Sequence, residues 1–146
     1  MNHSRYVIVF MFTAIGTAAL IRLLNWTLES GLGSSVQILV PAMIAALIEG
    51  RQFARANKRK STEKEIWKFT LITTVLAMSL NVTLAYLGEW AAPEFARLTI
   101  PEPFSTQFNF LLVAYAFGYL ICNRFFLALG IRNQLSLMRS RGEIED

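Results

Sequence analysis

The sequence predicts an all-α fold: an integral membrane four-helix bundle, a single transmembrane domain over residues 1–146, with both termini cytoplasmic. Three observations predict it. First, the chain is 54% hydrophobic and 16% charged, with a mean hydropathy of +0.42. Soluble domains carry about 25% charged residues. Second, the charges that remain are clustered. Tyr6–Ile21, Ser30–Ile48, Phe69–Gly88 and Pro103–Asn123 hold no Asp, Glu, Lys or Arg. A helix that crosses a bilayer needs roughly 20 mostly apolar residues, because about 30 Å of hydrocarbon is crossed at about 1.5 Å per residue. Third, the basic residues gather around one connector, Arg51–Lys64.

The first predicted helix covers about 6–28, since it must continue past Arg22 to span. A signal peptide is the rival reading, because Arg5 precedes an apolar run. No small-x-small cleavage site follows, and Thr17-Ala18-Ala19 leads straight into more apolar sequence. Glu29–Ser35 contains two glycines and three serines and reads as a turn. The second helix runs about 34–53 with Pro41 inside its first half. Proline removes one helical donor, which membrane helices tolerate when neighbours satisfy the freed carbonyl. In the basic connector, Thr62-x-x-Glu65 matches a capping box and starts the third helix, about 63–87. Pro93, Pro101 and Pro103 preclude one continuous helix over the next connector, where Glu94–Leu98 is predicted as a short interfacial helix. The fourth helix runs about 105–129, with Gly130 expected to end it. A tail over 131–146 is weakly amphipathic at Ile131, Leu135 and Met138.

Orientation follows from Lys/Arg bias in short loops, which are retained in the cytoplasm. With the basic connector inside, that side holds Arg5, Arg51, Arg55, Lys58, Arg59, Lys60, Lys64, Lys68, Arg132, Arg139 and Arg141. The other side holds Arg97, against Glu29, Glu89, Glu94 and Glu102. Trp26, Trp67 and Trp90 then all fall at membrane–water boundaries.

Glu49 is the leading candidate for chemistry. It shares a helical face with Ala42, Ala45, Ala46 and Phe53, and Ala42/Ala46/Gly50 form a small-xxx-small line that lets helices approach. An inward carboxylate can exchange protons or bind cations. The blander expectation is that it reaches the headgroups or pairs with Arg51, Arg55 or Arg124. Arg124 is the natural partner by depth, but it lies off the Ala114/Gly118/Cys122 stripe, and snorkelling to the inner headgroups competes with pairing. Arg22 and Asn81 are expected at one depth in the outer half. Thr70, Thr74, Ala77 and Asn81 form a polar stripe able to hydrogen-bond across helices. An Arg22–Asn81 contact is therefore expected, and a polar substrate site there is its sharper form. Arg51, Arg55, Lys58, Arg59, Lys60 and Lys64 are candidate anionic-lipid contacts. His3 is expected to be solvated, and Cys122 to pack.

Other classes are disfavoured. One cysteine and one histidine supply neither an internal disulfide nor a Cys/His metal cluster. Paired carboxylates on one face, a Ser/His/Asp set and a phosphate loop are all missing, so neither an enzyme nor a cofactor is expected. The charge comes without a nucleic-acid-binding module. The expected partners are membrane lipid and either a second copy or another membrane protein.

Pro41-Ala42, Gly50-x-x-Phe53 and Arg59-x-Ser61-Thr62-x-x-Glu65 resemble an uncharacterised family of small bacterial inner-membrane proteins with four predicted helices. Ser61 stands where that family has proline. The resemblance covers nearly the whole chain in length and helix spacing. It implies an inner-membrane location and no particular activity. Small multidrug transporters also have four helices and a membrane carboxylate. Theirs lies in the first helix, where this chain has no acid. The function expected is association with proteins or anionic lipid. The alternative is a small oligomeric transporter or channel using Glu49 and Arg22/Asn81.

Overall fold

The computed structural model describes residues 1–28, 34–91 and 104–144. Among them are four helices and no strand: α1 (His3–Leu28), α2 (Ser34–Asn57), α3 (Glu63–Ala91) and α4 (Thr106–Ser140). Three stretches, His3–Leu20, Glu63–Leu84 and Thr106–Ser140, are long and apolar enough to cross a membrane. Fewer than three in ten residues of each are buried within the protein. Ile8, Phe12, Val75, Phe110, Phe117 and Ile121 all stand more than half exposed, as side chains facing hydrocarbon would. The segment around the predicted turn, the short helix at Glu94–Leu98 and the side chains of Arg22 and Asn25 lie outside the described residues.

Three of these helices start for a local reason. Asn2 caps α1, its Oδ1 accepting from the backbone N–H groups of Ser4 (3.0 Å) and Arg5 (3.3 Å). An asparagine side chain satisfies donors that an uncapped first turn leaves orphaned. The helix therefore begins at His3, ahead of the apolar run. Thr62 and Glu65 form the capping box of α3. The Glu65 N–H donates to Thr62 Oγ1 (3.3 Å), and the Thr62 N–H donates to Glu65 Oε2 (2.8 Å). Ser105 caps α4, accepting from the Phe108 N–H at 3.1 Å.

The end of α4 corrects the sequence reading. Gly130 does not stop the helix, which continues to Ser140. The stop is Gly142, at φ +68°. There the Gly142 N–H donates to the Arg139 carbonyl (3.0 Å) and the Glu143 N–H to that of Met138 (2.9 Å). That crossed pair of bonds is the Schellman closure, which needs a left-handed residue that glycine adopts without a Cβ clash. Ile131, Leu135 and Met138 are buried, so the expected amphipathic tail is the last part of α4, packed against its neighbours.

Gly130 instead makes helix contact. A Cβ there would collide with the Leu47 carbonyl oxygen, and one at Gly50 with that of Leu127. Two backbones meet where neither has a side chain, the geometry small residues permit between apolar helices. Higher up, Gly118 packs on Leu39, and the Tyr119 hydroxyl donates to the Ile38 carbonyl at 3.1 Å. These contacts run in one register, so α2 and α4 lie parallel. The Tyr119 bond falls one residue past Gln37, whose carbonyl loses its helical donor to Pro41. The inward line of α4 is Tyr119, Asn123, Leu127 and Ile131, while Ala114 is exposed. The expected Ala114/Gly118/Cys122 stripe is thus rotated off the packed face.

Candidate functional site at the basic end

The start of α1, the end of α2, the start of α3 and the later part of α4 converge at one end of the protein. Glu49 is 1% exposed there. Ala42, Ala45, Ala46 and Phe53 on its face are buried with it, so the carboxylate points inward. Its partner is Arg5. The Arg5 Nε donates to Oε2 at 2.7 Å and Nη2 to Oε1 at 3.1 Å. The Asn2 backbone N–H adds a third bond, to Oε1, at 2.6 Å. A bidentate guanidinium with a backbone donor satisfies most of what a buried carboxylate requires. Arg51, Arg55 and Arg124, the partners expected from depth and spacing, do not take part. The pairing was hard to read because Arg5 and Glu49 are 44 residues apart. Asn2 ahead of a helix is the one local signal that α1 begins early enough to place Arg5 on this level.

Arg124 makes a different pair. Its Nη2 donates to Glu63 Oε2 at 2.9 Å, and its guanidinium carbon lies 4.4 Å from the Trp67 ring centroid. That contact joins α4 to α3 at the level expected for an interfacial tryptophan. Arg124 and Glu49 are therefore not brought together.

A buried polar chain lies next to the Glu49 clamp. The Tyr6 hydroxyl donates to Asn123 Oδ1 at 2.8 Å, and Asn123 Nδ2 donates to Thr74 Oγ1 at 3.4 Å. Three helices are linked by these two bonds. Thr70, Thr74 and Ala77 are buried and Asn81 is partly buried; Thr74 bonds across helices as expected, whereas Thr70 Oγ1 is buried without a partner. The sequence reading missed Asn123 and Tyr6. Its signal was an asparagine in a charge-free apolar window, which membrane helices keep when it has a partner. His3 is partly buried rather than fully solvated. Its ring lies 5.5 Å from that of Phe69, and Nε2 is buried without a hydrogen bond.

The basic connector divides in two. Arg59 is engaged, with Nη2 and Nη1 donating to the two Glu65 oxygens at 2.7 and 3.0 Å and its guanidinium over the Phe53 ring at 5.3 Å. The Glu65 carboxylate beside it raises the Arg59 pKa further above its ordinary value. Arg51, Arg55, Lys58, Lys60 and Lys64 are exposed, with no ion pair among the described residues. Lys58 takes a left-handed backbone, φ 50°, where α2 ends. Beside the glycine crossing, a groove of about 370 Å³ opens between α2 and α4, lined by Arg51, Arg55, Asn133 and Gln134 among others. Among the described residues no group of His, Cys, Asp and Glu side chains is placed to hold a metal ion.

The chain matches no family model, no curated protein and no solved structure.

Proposed function

We propose that the chain is a multi-pass protein of the bacterial inner membrane, with both termini cytoplasmic, that acts by association with anionic lipid or with membrane proteins, including copies of itself. α2 would be the fourth span, set between α1 and α4. The observation that carries this reading is the sorting of charge at one end of the fold. The buried acid, Glu49, is already neutralised by Arg5. Arg51, Arg55, Lys58, Lys60 and Lys64 stand exposed around it. Basic residues near an anionic surface contribute about 1 kcal/mol each, and short loops so charged stay cytoplasmic. Packing gathers Arg5 and the α2–α3 connector at this same end, which supports the orientation. The reading assigns no catalysis and no cofactor.

Isolation from native membranes in mild detergent, with crosslinking and lipid identification, is the test. The expected result is co-isolated anionic lipid, a partner or an oligomer. A lone monomer with none of these would sink the reading. A C-terminal reporter active only outside the membrane would overturn the orientation.

The transport reading is favoured by one observation, the buried carboxylate at Glu49. Under it, Glu49→Gln abolishes a proton-coupled flux in reconstituted vesicles. Under association, the substitution changes stability, and the wild type shows no such flux.

A further inference from the structure

The groove between α2 and α4 is the feature of the basic end that none of these ion pairs uses. Arg51 and Arg55 are one helical turn apart on α2 and face it together. Two guanidinium groups on one wall repel each other unless an anion lies between them. Across from them, Gln134 on α4 is 93% buried, yet its amide lines the groove and makes no hydrogen bond among the described residues. That amide is not sealed off from the groove, so it is open to bond a molecule lying there. Among the described residues no acidic side chain lines the groove. Ile48 and Leu137 add apolar wall to the same space.

The level of the groove follows from the helix register. Gly50 meets Leu127 and Ile131, so Arg51–Arg55 and Asn133–Leu137 lie just past the crossing, toward the basic end. Arg124 over Trp67 marks the interfacial level. Asn133–Leu137 come after Arg124 by roughly 14–20 Å along α4, so the groove opens beyond that level, on the basic side.

We infer that this groove binds the phosphate-bearing headgroup of an anionic phospholipid, held by Arg51, Arg55 and the Gln134 amide. The inference rests on the association reading above and names its ligand and its site. Guanidinium groups match phosphate oxygens in charge and in paired-donor geometry. The amide N–H of Gln134 supplies a directed donor, and Ile48 and Leu137 offer apolar wall to the rest of the lipid. A free phosphate shares the charge but gains nothing from those apolar walls.

The test uses the full chain in nanodiscs, with phosphatidylglycerol retained against phosphatidylcholine counted by native mass spectrometry. Arg51→Gln/Arg55→Gln should lower phosphatidylglycerol retention about tenfold or more. Lys58→Gln/Lys60→Gln removes the same charge from the loop and should lower it by less than about threefold. Gln134→Met, which keeps every charge, should lower it about threefold. Equal losses in the two double variants, with no effect of Gln134→Met, would leave only a diffuse surface attraction and overturn the site. If thermal unfolding shows the arginine variant to be misfolded, Gln134→Met alone decides. Displacement of the lipid by excess inorganic phosphate, with phosphate itself retained, would make the ligand a free anion and overturn the lipid assignment. A wild type with no preference for phosphatidylglycerol and no partner would sink the association reading itself. A wild-type preference that survives every groove substitution sinks the groove alone.

Discussion

Two arginine–glutamate pairs tie neighbouring helices at the same end of the protein, and they differ in what surrounds the acid. Glu49 is 1% exposed and takes three hydrogen bonds, two from Arg5 and one from the Asn2 backbone. Glu63 is 73% exposed and takes one bond from Arg124. If Arg124 is removed, water solvates Glu63 at once. If Arg5 is removed, water has little access to Glu49, and a desolvated charge is left behind. The same two residue types therefore make a structural dependency in one place and a surface contact in the other. The first tethers the start of α1 to α2. The second steadies α3 against α4 beneath Trp67.

The largest effect should come from Arg5→Ala. Breaking a fully buried pair costs about 3–5 kcal/mol, but the Arg5 side chain is 41% exposed, so about 2–3 kcal/mol is expected. Equilibrium unfolding in detergent micelles measures it, and a loss under about 1 kcal/mol would place both pairs in one class. Replacing both partners, Arg5→Met with Glu49→Met, should recover stability to within about 1 kcal/mol of the wild type, because no charge is then stranded. Failure to recover would mean that the pair contributes net stability beyond satisfying itself.

Tyr6→Phe tests the neutral counterpart, a buried bond between uncharged groups. It leaves Asn123 Oδ1 without its donor while Nδ2 keeps Thr74, and should cost about 1–2 kcal/mol. Arg124→Gln should be smallest, below about 1 kcal/mol. Raising salt to about 0.5 M should shrink that gap further and leave the Arg5→Ala gap largely intact. Equal salt sensitivity would argue that water reaches Glu49 as readily as Glu63.

The same division runs through what could be read beforehand. Spacing placed Glu49 on a face with Ala42, Ala46 and Phe53, and that face is buried. Periodicity works here because a helix repeats every 3.6 residues whatever it packs against. The partner could not be read that way. Depth and proximity favoured Arg124, but the α4 face that packs inward carries Tyr119, Asn123 and Leu127, and this directs Arg124 toward α3 instead. Gly130 shows a second kind of ambiguity. Glycine lacks a Cβ, so it suits both a helix stop and a close crossing. At Gly142 it does the first and at Gly130 the second. Composition alone cannot separate them, because the difference lies in whether another backbone approaches.

By itself, then, the sequence determined the elements that depend on near neighbours: an all-helical chain, the capping box at Thr62 and Glu65, apolar stretches long enough to span, and the clustering of positive charge. Each is set by contacts within a turn or two of helix, or by the transfer energy of one stretch. Tertiary structure alone decided that Arg5 closes on Glu49, that α2 and α4 meet at Gly50 and Gly130, and that a basic groove opens beside them. Those depend on the rotation and depth of whole helices relative to one another. Many packed contacts set that geometry together, and no single residue encodes it.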